Sequence, residues 1–391
     1  MNDYSVRGCR VLLAEASSRQ VLPMLHAFRR AGCCVTTVQE HKSDLGCISK
    51  YPQEKLTHPG VDTDRKAAEP FYRELLQNRT YDIVVPLSDF SASLLSEMKV
   101  SVEKGGTTAV AVNEPDIFMK AYDKAQTMKI CMEHQIPCPY TLDDVYAPED
   151  IPEDAVYPLV IKPRSSCGSI GFHIASDREE LAAYMKELKG SESGGFLIQE
   201  YIPQTGRQYN AHFVVDAEHT VKTAILTQKC RWFPLDGGAS TLCRTVHDPK
   251  ILADCKKLLQ TIGWIGYCDI DLMEDPRDGS VRIIEINGRI SANIKICFLA
   301  GADIARQLLQ LYSGQEVDGY PDYPEDVRLR CIHTDFLWFL KSHDRFKTEP
   351  KWFSFRRTSD QIFSLRDPIP FFVFSFLCLF RYRKEMKKRR R

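Results

Sequence analysis

Apolar and polar positions along this chain follow two different periods, and the alternation between them predicts its elements. RVLLAEA (Arg10 to Ala16) is a short apolar run, and QVLPMLHAFRRAG behind it has helical spacing and stops at Gly32. CCVTTVQE, YDIVVPLSD (Tyr81 to Asp89) and TTAVAVNEP are further buried strands. Strands alternating with helices predict a parallel sheet covered on both faces, an α/β layer over residues 1–115. Its first strand-to-helix turn, AEASSRQ, lacks GxGxxG, so no dinucleotide fingerprint is present.

The pattern then changes to α+β. PDIFMKAYDKAQTMKICMEHQIPCP predicts a helix and a proline-punctuated loop. YPLVIKP (Tyr157 to Pro163) and FLIQEYIP (Phe196 to Pro203) predict strands, and SSCGSIGFHIAS a Ser/Gly-rich turn entering another. YNAHFVVD and VKTAILTQKC alternate as antiparallel strands do, and DPKILADCKKLLQTIGW is an amphipathic helix ending near Gly263. YCDIDLMED and VRIIEING form a hairpin around DPRDGS, whose Asp-Gly is a turn signal, and a helix follows at about 300–312.

Within that hairpin, RIIEINGRIS (Arg282 to Ser291) places Ile284, Ile286, Gly288 and Ile290 on one face and Glu285, Asn287, Arg289 and Ser291 on the other. A half-exposed strand alternates in the same way, so the segment alone leaves a solvated face open. The hairpin partner narrows the choice, because Asp271 can lie beside Glu285 and Asn287. Three such oxygen ligands suit Mg2+ bound with a nucleotide. Arg289 is spaced to hold a phosphate or a substrate carboxylate. Lys162 ends an apolar strand, either solvated or pointing into a cleft. The SSCGSIG run after it offers backbone N–H groups to phosphates, without the spacing of a P-loop.

Composition adds boundaries. The 391 residues exceed one small core, and 43% apolar with 27% charged residues is ordinary for a folded protein. Net charge is zero, but the last eleven residues, RYRKEMKKRRR, hold eight cations and one Glu, leaving −7 on the rest. That disfavours a nucleic-acid binder and indicates a basic tail on a mildly acidic body. The 14 cysteines include no CxxC pair, and the N-terminus lacks a signal-peptide core. Reduced thiols serving as apolar packing residues in a cytoplasmic protein are expected.

The order DKAQTMKICMEHQIPCP, VIKPRSSCGSIGF, IQEYIP and CDIDLMEDPRDGSVRIIEINGRIS resembles the ATP-grasp fold. The nearest likeness is to carboxylate–amine ligases and to the synthetase halves of the carbamoyl-phosphate synthase large chain. The resemblance implies a Rossmann-like pre-ATP-grasp domain at 1–115, an ATP-grasp domain at 116–312 with a lid subdomain at about 140–200, and a helical, aromatic and basic C-terminal extension at 313–391. It implies that Lys124 and Lys162 contact ATP phosphates, that Ser166 and Ser169 belong to a lid loop over them, and that Glu200, Tyr201 and Ile202 form the hinge beside the adenine. Gln208 falls where the family has a ribose-binding Glu. The resemblance further implies that Asp271, Glu285 and Asn287 hold two magnesium ions, with Mn2+ able to substitute. It also implies that Glu285 belongs to the ATP site and that Arg289 steadies an acyl phosphate. Asp271 replaces a common Gln, and Gly288 replaces a common Pro, which is expected to loosen the strand end.

The implied reaction activates a carboxylate with ATP and couples it to an amine, releasing ADP and phosphate. Phosphorylation of bicarbonate, in the manner of carbamoyl-phosphate synthase or biotin carboxylase, is the enzymatic alternative, and a non-catalytic nucleotide-binding membrane scaffold is another. In RWFPLDGGASTLCRTV, Arg244 is the candidate for the substrate carboxylate and Arg231 a lesser one; His173 and His212 are read as structural. A homodimer is expected by analogy. The apolar run Ile369–Phe380 is too short to span a bilayer, and Pro370 argues against a long helix. It reads either as a terminal helix on the body or as an interfacial anchor at the inner face of the cytoplasmic membrane, the latter pointing to envelope-linked substrates.

Overall fold

The computed structural model describes residues 7–58, 65–106, 108–142, 145–164, 172–189, 195–235 and 238–388. Among the described residues the strands form three sheets. The first is parallel, built from β1 (Arg10–Ala14), β2 (Cys34–Gln39), β3 (Glu54–Thr57), β4 (Ile83–Pro86) and β5 (Ala109–Val110) in the order β3-β2-β1-β4-β5. Helices α1 (Val21–Arg30), the single turn α2 (Leu45–Ile48), α3 (Arg65–Asn78) and α4 (Asp89–Lys104) accompany it. All four residues of β4 are buried, as central parallel strands require. Gly32, with φ of 83°, follows α1 where a left-handed residue is needed.

The predicted single helix after residue 115 is two helices, α5 (Pro115–Tyr122) and α6 (Lys124–Glu133). Asp123 divides them: its backbone is extended, and its side chain accepts from the N–H of Ala125 to cap α6. A second, smaller sheet follows: β6 (Thr141–Leu142), β7 (Leu159–Pro163), β8 (His173–Ala175) and β9 (Phe196–Glu200) in the order β6-β9-β7-β8, backed by α7 (Arg178–Lys189). It has its own small core, centred on Leu159, Ile161, Leu181 and Ile198.

The large sheet is built from β10 (Gln208–Val215), β11 (Val221–Phe233), β12 (Ala239–Thr245), β13 (Gly266–Glu274) and β14 (Val281–Asn287), extended by β15 (Arg328–Arg330) and β16 (Thr358–Asp360). Its order is β14-β13-β10-β11-β12-β15-β16. The helices of this half are α8 (Pro249–Ile262), α9 (Lys295–Leu299), α10 (Ile304–Tyr312), α11 (Ile332–Lys341) and α12 (Ile369–Lys388). Asp248 caps α8, Pro249 opens it, and Gly263 ends it in the left-handed region. One continuous core joins the first sheet to the large one, since Leu12 and Ala14 share it with Tyr209, Phe213 and Leu272.

Three expectations need correction. The region after residue 313 is not wholly helical: β15 and β16 extend the large sheet. Pro370 does not prevent a long helix, because it stands in the first turn of α12, where its missing N–H costs nothing. Strict alternation put Ile284 in the core, but a bulge opposite Asp271/Leu272 buries Ile283 instead and leaves Ile284 half-buried. No described helix is long and apolar enough to cross a membrane.

Candidate active site

The β13–β14 hairpin pairs Asp271 with Glu285 and Asp269 with Asn287. Directly opposite residues share a face, so these four polar side chains line one side of the sheet. β10 adds Asn210 opposite Asp271 and His212 opposite Asp269. Asn287 Nδ2 donates to Asp271 Oδ2 at 3.3 Å, and Asn210 Nδ2 donates to Oδ1 of the same carboxylate.

Two lysines neutralise the carboxylates. Lys124 Nζ is 3.3 Å from Glu285 Oε2. The break at Asp123 makes Lys124 the first residue of α6, and the N–H of Lys124 donates to the carbonyl of Arg164 just beyond β7. Arg164 returns a two-pronged ion pair to Asp123, at 3.0 and 2.6 Å. Lys162 lies two residues earlier, at the end of β7. Burial lowers its pKa to about 8, Glu285 opposing and Lys124 reinforcing the shift. The second neutralising cation is Lys229 on β11, whose Nζ donates to Asp271 Oδ1 at 2.9 Å. Burial alone would raise the Asp271 pKa, but Lys229, Arg289 and the Asn210 hydrogen bond hold it below the usual carboxylate range.

Arg289 follows the hairpin. Its guanidinium donates to Asp269 Oδ1 and to Asn287 Oδ1, each at 3.2 Å, and its Nε lies 3.4 Å from Asp89 Oδ1. Asp89 opens α4 in the first layer, so the site lies where that layer meets the large sheet. Burial pushes the Asp269 carboxyl up against the pull of Arg289. Gly288, which was expected to loosen the strand end, is packed tightly: a Cβ there would lie 2.7 Å from Trp264 and 3.0 Å from Phe118.

Asp271, Glu285 and Asn287 supply only hard oxygen donors, the kind Mg2+ accepts when phosphate oxygens and water complete its shell. No three His, Cys, Asp or Glu side chains gather as a metal cluster among the described residues; the set here is two carboxylates and an amide. Each carboxylate already attracts a cation, with Lys124 and Lys229 standing where positive charge is needed. The donor set therefore fits the ion.

The residues expected to form the hinge are engaged in different ways. The Glu200 N–H donates to the Tyr140 carbonyl and the Tyr201 N–H to the Pro158 carbonyl, so neither is free to donate to a base. The Glu200 carboxylate takes Arg277 and Arg282. Ile202 is buried, and Gln208 opens β10 two residues before Asn210, on the same face. Ser166 and Ser169 lie outside the described residues.

The structure separates the two substrate arginines from the site. Arg244 is opposite Gln228 and bonds its side-chain oxygen at 3.0 Å, on the face away from Lys229. A bulge at Cys230 turns Arg231 to that same far face, where it is fully buried. There it grips Asp335 of α11 at 2.7 and 3.0 Å and stacks on Trp338, so its task is to fasten α11 to the sheet. His173 stacks on Tyr184 at 4.4 Å. His212 bonds the Tyr267 hydroxyl at 2.9 Å, and burial draws its pKa down to about 4, keeping it neutral. Most described cysteines are buried free thiols, and burial pushes Cys243 up to about 12.

Residues 121–293 match the ATP-grasp domain family. The chain is 24% identical over 274 residues to a D-aspartate ligase of Enterococcus faecium (strain Aus0004), covering 63% of each chain. It is 23% identical over 306 residues to the N-terminal section of the carbamoyl phosphate synthase large chain of Methanopyrus kandleri, covering 72% of this chain and 52% of that one. It thus spans less than two thirds of the length of both relatives. A biotin carboxylase complex from Campylobacter jejuni superposes with a TM-score of 0.68 at 13% identity, over 83% of this chain and 75% of that one. The match over residues 121–293 contains the smaller sheet and the β13–β14 hairpin, so this segment is similar to the ATP-grasp domain family.

Proposed function

We propose that this protein is an ATP-dependent ligase that activates a carboxylate as an acyl phosphate and couples it to an amine. The observation that carries this reading is the β13–β14 face, where Asp271, Glu285 and Asn287 stand beside Arg289 with Lys124 against Glu285. The relative named as a D-aspartate ligase supports it. In this reading the three oxygen donors hold two Mg2+ ions, or Mn2+ in their place, whose charge supports the β- and γ-phosphates of ATP. Lys124 and Lys162 bind phosphate oxygens, Glu200 to Gln208 flank the nucleoside, and Arg289 holds the substrate carboxylate and then the acyl phosphate. Lys229 adds a cation that alternation alone had not marked as part of the site.

The carboxylate oxygen attacks the γ-phosphorus, the bond to the bridging oxygen breaks, and ADP leaves with the electron pair. The amine lone pair then attacks the acyl carbon, the C–O bond to phosphate breaks, and the surplus proton passes to solvent. The chain's contribution is positioning and fixed charge, the main sources of rate in phosphoryl transfer. A second reading, with bicarbonate as the acid, is favoured by the carbamoyl phosphate synthase relative.

The deciding experiment measures ADP release from ATP and Mg2+ across a panel of carboxylates, with and without amines, for wild type and Glu285→Ala. Sustained release that needs both acid and amine, and falls by about 10³-fold in the variant, is expected. Release with bicarbonate alone moves the assignment to the second reading. ATP binding with no release under any pair would refute both.

A further inference from the structure

The C-terminal helix α12 carries apolar side chains on two sides, one packed on the body and the other largely exposed. Phe371 and Phe374 pack against the core beneath it. His333 of α11 meets both rings, at 5.0 and 5.1 Å, and bonds the Ser375 hydroxyl at 2.6 Å. Asp367, just before the helix, is tied to Ser49 at 2.6 Å. The outer side carries Ile369, Phe372 and Phe376, which are 57%, 63% and 61% exposed. Their i, i+3, i+7 spacing makes them one stripe.

That stripe does not stand alone. Leu365, 87% exposed, precedes it. On α11, Phe336 and Leu340 continue the line that begins at His333, and both are exposed. Single exposed apolar side chains are ordinary, but exposed apolar side chains at helical spacing on two adjoining helices are not. The charge of the segment selects what covers them. Residues 341–391 carry fifteen Lys and Arg against five Asp and Glu, eight of the cations within the last eleven residues. No described helix can span a bilayer.

We propose that α11 and α12 form a seat on an anionic lipid surface, with the Phe372–Phe376 stripe in the boundary between head groups and acyl chains and the basic end of α12 on acidic head groups. A lipid interface satisfies both halves of the pattern: it removes the stripe from water and supplies diffuse negative charge over a long run of cations. The seat is rigid with respect to the ATP-grasp sheet, because the buried Arg231–Asp335 pair fastens α11 to β11. The inference does not depend on the ligase reading.

The test is flotation of the full-length chain with phosphatidylcholine vesicles, with and without phosphatidylglycerol. Partitioning onto the anionic vesicles is expected to exceed that onto neutral ones by about tenfold or more, and to fall between about 0.15 M and about 1 M salt. Phe372→Glu with Phe376→Glu is expected to reduce binding by about tenfold or more, with unchanged circular dichroism and thermal midpoint. Lys387→Gln with Lys388→Gln and Arg389→Gln is expected to weaken the salt dependence. Three outcomes overturn the proposal: no partitioning onto anionic vesicles, equal partitioning of wild type and the Phe372/Phe376 variant, or a wild-type dimer that binds no vesicle and that the same variant dissociates. The last would assign the stripe to a second copy of the chain. Flotation requires no turnover, so its result is independent of the substrate panel.

Discussion

Lys229 Nζ lies 2.9 Å from Asp271 Oδ1, so the carboxylate proposed for metal binding already holds a cation that reaches it from β11, across β10. Lys229→Met removes that charge and leaves Asp271 to repel Glu285. A loss of about 2 kcal/mol is expected in urea unfolding, between the values for exposed and fully buried pairs. ADP with Mg2+ should restore more stability to the variant than to wild type, because the bound ion replaces the missing charge. An equal gain in both proteins would mean that Lys229 and the ion do not share a site.

The phosphate contact proposed for Lys162 would make nucleotide binding depend on pH. Burial holds the Lys162 pKa at about 8, so above that pH the free protein carries a neutral amine at the proposed phosphate contact. Phosphate favours the ammonium, so ATP binding takes up a proton, and affinity falls as pH rises through about 8. Calorimetric titration between pH 7 and 9 should show weakening that approaches about tenfold per unit at the upper end, with proton uptake. Lys162→Arg keeps its charge and should flatten the slope. A pH-independent affinity in wild type would remove Lys162 from the phosphate contact.

Arg289 and Arg244 make opposite predictions. Arg289 contacts Asp269, Asn287 and Asp89 on the polar face, whereas Arg244 bonds Gln228 on the other side of the sheet. Arg289→Ala should lower kcat/KM for the acid by about 10² to 10³-fold, as loss of a preorganised charge does. Arg244→Ala should change KM for the same acid by less than about twofold, within the range of a surface substitution. Steady-state kinetics of the two variants on one substrate pair decide the matter.

The fold has its own sensitive points. Gly288→Ala drives a methyl into Trp264 and Phe118, and a loss of about 1–3 kcal/mol with altered Trp264 fluorescence is expected. Asp335→Asn leaves Arg231 and Arg330 buried without their shared carboxylate, and about 3–5 kcal/mol should be lost. Limited proteolysis should then cut first around α11. Unchanged thermal midpoints in either variant would contradict the packing described.

The polar face of the hairpin was legible because a hairpin with an Asp-Gly turn and period-two alternation carries its own register: the shared face of Asp271, Glu285 and Asn287 follows from residues close in sequence. Lys229 was not, because its partner is 42 positions away and its strand reads as ordinary alternation. Bulges account for two displaced residues. Counting by twos puts Arg231 on the Lys229 face and Ile284 in the core; an extra residue in each strand sends Arg231 to Asp335 and buries Ile283. The helix break at Asp123 was hidden because Asp is acceptable within a helix, and only the distant Arg164 shows why the chain turns there.

Arg289 is held from two sides, by Asp269 of the large sheet and by Asp89 at the head of α4. One guanidinium therefore rivets the parallel layer to the large sheet, and its aim depends on the placement of both. The two halves are not interchangeable cassettes. A chimera that takes its first layer from another protein inherits a correctly directed arginine only if an acid stands where Asp89 does.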